Sequence, residues 1–101
     1  MTTSIEEITP LKAVQYLDTV LYRRSVNPKK VARYAKEMTE GNWKEPPTDL
    51  PIGTLAFDAK GRLVDGQHIL LAIVHCGLTL KIPVVKGVED TGAIDLQEAK
   101  P

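Results

Sequence analysis

The chain has 101 residues, 43% hydrophobic and 26% charged, with thirteen basic and thirteen acidic side chains. That is the size and composition of one small globular domain with a modest core. No apolar run approaches the roughly 18 residues of a membrane span. The single cysteine, Cys76, excludes an internal disulfide framework and a cysteine-based zinc site.

A lone cysteine fits a reducing, cytoplasmic setting. The first residues carry neither the basic n-region nor the apolar h-region of a secretory signal. Charge is balanced in total but not along the chain. Residues 12–44 hold eight Lys and Arg against Asp18, Glu37 and Glu40, whereas residues 45–101 hold five against eight acidic side chains. The result is a basic first half and an acidic second half.

Thr9-Pro10 reads as an N-cap followed by proline at the first helical position, where the missing N–H costs nothing. Leu11, Val14, Leu17 and Leu21 follow at helical spacing, which predicts a helix over 10–20. The stretch Tyr22–Val26 breaks that pattern and reads as a loop or short extended piece. Asn27-Pro28 repeats the start signal. Val31, Tyr34, Ala35 and Met38 form one amphipathic stripe, which predicts a second helix over 28–40 with Gly41 at C′. Residues 44–53 carry three prolines and Gly53 and read as an irregular connection.

Thr54–Phe57 and Arg62–Val64 read as two short strands joined by the turn Asp58-Ala59-Lys60-Gly61, a hairpin. Gln67–Cys76 reads as a buried helix closed by Gly77. Leu80–Val88 reads as a third strand, with Pro83 suggesting an edge or early position. The expected order is helix, helix, strand, strand, helix, strand, a small α/β domain around a few-stranded sheet.

Asp65-Gly66-Gln67-His68 is the feature with chemical content. A strand that ends in Asp-Gly and passes straight into a helix gathers free backbone N–H groups at one point. Gly66 permits a sharp turn and close approach. The helix dipole and the amides of residues 66–69 favour an anion, most naturally a phosphate. Asp65 has two readings: an N-cap that consumes those amides, or a site carboxylate that turns away or shares Mg²⁺ with a phosphate. His68 likewise reads as a hydrogen-bonded structural histidine or as a catalytic one.

The arrangement Arg24, Val31-Ala32-Arg33-Tyr34-Ala35, Met38, Gly41-Asn42-Trp43, Phe57-Asp58, Gly61-Arg62-Leu63, Asp65-Gly66-Gln67-His68, Leu71-Ala72, Gly77 and Val84-Val85-Lys86-Gly87 resembles the ParB/sulfiredoxin-like domains common in phage and actinobacterial genomes. In that superfamily the strand–turn–helix corner binds nucleotide phosphates: CTP in ParB partition proteins, ATP in sulfiredoxins, a nucleotide in related free-serine kinases. The resemblance implies a single ParB/sulfiredoxin-like α/β domain over 1–101, its core about 5–90 and its tail 91–101 loose. It implies a nucleotide or phosphorylated small molecule as ligand, with Mg²⁺ arriving with the nucleotide. Asp65 and His68 are then the catalytic candidates for phosphoryl transfer or nucleotide hydrolysis. Arg24, Gly66, Gln67 and His68 are the ligand-contacting ones, and no dedicated metal site is expected.

Two departures from the family pattern bear on activity. Relatives usually continue Asp-Gly-Gln-His with Arg, and this chain has Ile69. Losing one charged hydrogen bond costs about 1.5–3 kcal/mol. Relatives usually place Asn before the loop Arg, and here Arg23 precedes Arg24. Gln67 stands at the sulfiredoxin nucleophile position, which excludes that chemistry.

The rival expectations are a non-catalytic interaction module with a degenerate phosphate site, pairing with another protein or with itself, and a DNA-associated accessory protein. The DNA reading rests on Arg23, Lys29, Arg33 and Lys36, a basic stripe that also reads as a solvated helix face.

Overall fold

The computed structural model describes residues 2–21, 25–43 and 53–88. In chain order the elements are strand β1 (Thr2–Ile8), helices α1 (Pro10–Leu17) and α2 (Pro28–Thr39), strands β2 (Leu55–Asp58) and β3 (Leu63–Asp65), helix α3 (Gln67–Cys76) and strand β4 (Leu80–Val88). Among the described residues these make three helices and one mixed sheet in the order β1-β4-β2-β3. β4 pairs antiparallel with β1 and parallel with β2, while β2 and β3 form the expected antiparallel hairpin.

The helix starts follow the local chemistry of their caps. The Thr9 side chain accepts the Lys12 amide, and Asn27 Oδ1 accepts those of Lys29 and Lys30, each ahead of a proline in the first turn. Gly41 and Gly77 take the left-handed conformation that closes α2 and α3.

The core forms between these helices and one face of the sheet. Ile8, Leu80, Ile82 and Val84 alternate inward along β1 and β4, and Leu55, Phe57 and Leu63 continue that surface. Ala35 and Met38 of α2 and Ile69, Leu70, Ala72 and Ile73 of α3 close over it.

The sequence expectation is corrected in three places. β1 was not anticipated, because Thr2–Ile8 buries only Ile8 and carries no apolar alternation. It is an edge strand held by pairing with β4 from Thr2↔Lys86 to Ile8↔Leu80. β4 is interior rather than at an edge. Pro83 is tolerated there because β2 enters the parallel ladder only at Val84, so that side of β4 is not yet paired at the proline. Helix α1 stops at Leu17 rather than 20, since Thr19 and Leu21 exchange backbone bonds with Leu63 and line the outer edge of β3. Residues 22–24 of the expected Tyr22–Val26 loop, residues 44–52 of the expected connection over 44–53 and the tail after Glu89 lie outside the described residues.

Candidate functional site

β3 delivers Asp65 to the start of α3, and Gly66 makes the corner with φ +109°. A side chain there would run into Leu55 and the Thr54 carbonyl. Glycine is therefore required twice, by the left-handed backbone and by packing on the start of β2. The first helical bond of α3 runs from the Leu70 amide to the Gly66 carbonyl, 3.1 Å. The amides of Gln67, His68 and Ile69 precede it, and no side chain caps them.

Asp65 is not the N-cap. Its Oδ1 accepts the Gly66 amide at 2.9 Å, and it does not cap the amides of the first helical turn. Among the described residues Gln67 Oε1 is buried here without a hydrogen-bond partner. Such an atom is costly unless a donor reaches it.

His68 joins two helices. Its Nε2 accepts the Asn27 amide at 3.0 Å, and Asn27 caps α2, so the N-termini of α2 and α3 meet at the imidazole. An accepting Nε2 places the ring proton of the neutral imidazole on Nδ1. Burial and then the Lys30 ammonium hold His68 below the usual histidine range, and Asp65 offsets this only in part.

A small hollow of about 30 Å³ lies at the corner, lined by Val20, Asp65, Gly66, Gln67 and His68 among others. It has room for a water-sized group. Gly66, Gln67, His68 and Asp65 are thus gathered at one point, whereas Arg23 and Arg24 lie outside the described residues.

The Ile69 side chain packs inward. It is 6% exposed and belongs to the core, leaning with Trp43 over the bare backbone of Gly53. Trp43 in turn meets Tyr34 edge to face at 5.2 Å. Both aromatics therefore anchor packing. Lys29, Arg33 and Lys36 are exposed on α2, with Arg33 and Lys30 each 5.6 Å from the centre of the Tyr34 ring.

Two polar clusters were not foreseen. Asp58 is buried in the β2–β3 turn, where Oδ1 accepts the amides of Lys60 and Arg62 and Oδ2 accepts Arg62 Nε at 2.7 Å. Burial pushes its carboxyl up, but the Arg62 and Lys60 donors outweigh that and hold it below the usual range. Glu6 accepts the Tyr16 hydroxyl at 2.6 Å and pairs with Lys12 and Lys86 at 3.2 and 3.1 Å. Burial and the Glu6 carboxylate push the Tyr16 phenol up to about 12. The Glu6 cluster was illegible because its strand was: Glu6 shares a face with the buried Ile8 only once β1 is in place.

Searches with family models, among curated proteins and among solved structures return no match. Among the described residues no helix is long and apolar enough to cross a membrane, and no three His, Cys, Asp or Glu side chains gather as a metal site.

Proposed function

We propose that this chain is a ParB/sulfiredoxin-like domain that binds the phosphates of a nucleotide or another phosphorylated small molecule at the Asp65–Ile69 corner. The observation that carries the reading is the uncapped start of α3. Asp65 has turned onto Gly66, and among the described residues no side chain caps the next three amides. Those amides and the positive end of the helix favour an anion.

The residues take definite roles in this reading. The Gln67, His68 and Ile69 amides receive phosphate oxygens. His68, with Nε2 occupied by the Asn27 amide, serves as an Nδ1–H donor to developing charge. Asp65 is the carboxylate at the corner, and its Oδ2 is the atom to accept a proton from an attacking hydroxyl or water, or to join the coordination of a Mg²⁺ that enters with the nucleotide. One carboxylate suits a metal carried mainly by phosphates and water. Mg²⁺ would supply charge neutralisation between phosphate oxygens.

A second reading, binding without chemistry, is favoured by Ile69. Its inward side chain leaves no guanidinium from that position to grip transferring phosphate.

A thermal-shift panel of ATP, CTP, GTP and ADP, each with and without Mg²⁺, tests the binding. At a hundred times Kd a ligand adds about 2.7 kcal/mol of stability, so millimolar nucleotide should raise Tm by several degrees. An unchanged Tm across the panel contradicts the reading. Product formation by the stabilising nucleotide separates catalysis from binding alone.

A further inference from the structure

A second, larger cavity of about 460 Å³ opens at the other end of the hairpin, by the Asp58–Gly61 turn. Its volume falls in the range of small-molecule sites, about 300–1,000 Å³. Its position has its own logic. β2 and β4 are the parallel pair, and Phe57, Lys86 and Gly87 lie toward their carboxyl ends. In α/β sheets ligands collect outside the carboxyl ends of such strands. The β2–β4 register also shifts between Phe57 and Asp58, an irregularity of the kind that re-aims side chains beside binding sites.

The walls combine aromatic surface with one spare positive charge. Tyr16 and Phe57 meet edge to face with centroids 4.6 Å apart. The Tyr16 hydroxyl is committed to Glu6, so the ring contributes area rather than a free donor. Lys12 and Lys86 share the single Glu6 carboxylate, which among the described residues leaves one ammonium charge uncompensated. Lys86 lines the cavity, and its side chain is 52% exposed. Asp58 also lines it, but its carboxylate is consumed by Lys60 and Arg62. At the rim, Gly61 and Gly87 present backbone without side chains.

We propose that this cavity is a second binding site, separate from the phosphate corner, for a small aromatic carboxylate. The flat body lies against Tyr16 and Phe57, and the carboxylate pairs with Lys86. The site does not depend on the ligand bound at α3.

Amide-resolved NMR of the whole chain tests it, with indole-3-acetate as probe and tryptamine as a control of the same ring and opposite charge. Saturable shifts at the Gly61 and Gly87 amides are expected from indole-3-acetate, with residues 66–69 unmoved and tryptamine at least about tenfold weaker. Lys86→Gln should weaken the anion about tenfold or more. Ala59→Trp, at an exposed lining position, should block the mouth and remove the shifts while spectral dispersion is retained. Equal binding of tryptamine overturns the charge assignment without needing any variant. Absence of shifts at millimolar probe, shifts confined to α3, or wild-type affinity in a folded Lys86→Gln overturns the site.

Discussion

At His68 a single nitrogen links the N-termini of two helices. Nε2 accepts the Asn27 amide, and protonation there would remove the acceptor and set a cation toward Lys30. The folded state therefore holds the ring below the ordinary value of about 6.5 that it has when unfolded. Between those two values the unfolded chain binds more protons, so stability rises with pH across that window. The contribution is complete above about 6.5 and is lost as pH falls toward and through the lowered folded value. A His68→Gln variant keeps an acceptor but does not titrate. Its Tm should fall less steeply than wild type between about pH 7 and 5. Parallel profiles would show that His68 is not the group responsible. Glu6 and Asp58, both held below the usual carboxylate range, act in the acid region beneath this window: their contributions are present above their unfolded values and are lost as pH falls through the lowered ones.

At the scale of elements, α3 sets the character of the corner because its first turn faces two ways. The amides of Gln67–Ile69 have no side-chain cap among the described residues, while the Ile69 side chain enters the core beside Trp43 and over Gly53. Replacing it with arginine drives a charge into that packing before it can serve a phosphate. Ile69→Arg should cost on the order of 3 kcal/mol, read as a lower urea midpoint. Wild-type stability together with tighter nucleotide binding would show instead that the side chain at 69 reaches the ligand. The three helices were legible because their signals are local: Thr9-Pro10, Asn27-Pro28 and Gly77 act within a turn of themselves. The hairpin was legible for the same reason, through its Asp58–Gly61 turn. β1 and the interior place of β4 were not, because both depend on pairing between residues some eighty positions apart, such as Thr2↔Lys86. The corner itself was read from Asp65-Gly66-Gln67-His68, but the direction of Asp65 and of Ile69 depends on neighbours that no motif specifies.

At the scale of the molecule, the hairpin separates two chemistries. One end pairs Ala56 with Asp65 and carries the uncapped start of α3, and the other carries the Asp58–Gly61 turn and the Lys86 cavity. The central claim concerns the first end, that the amides of the α3 first turn hold phosphate. Amide NMR during titration with pyrophosphate, then with the nucleotide that raises Tm most, reads those amides one by one. Large saturable shifts are expected at Gln67, His68 and Ile69, with Gly61 and Gly87 still. Shifts that stay absent there, or that spread only over the exposed Lys29, Arg33 and Lys36 face of α2, would contradict the claim.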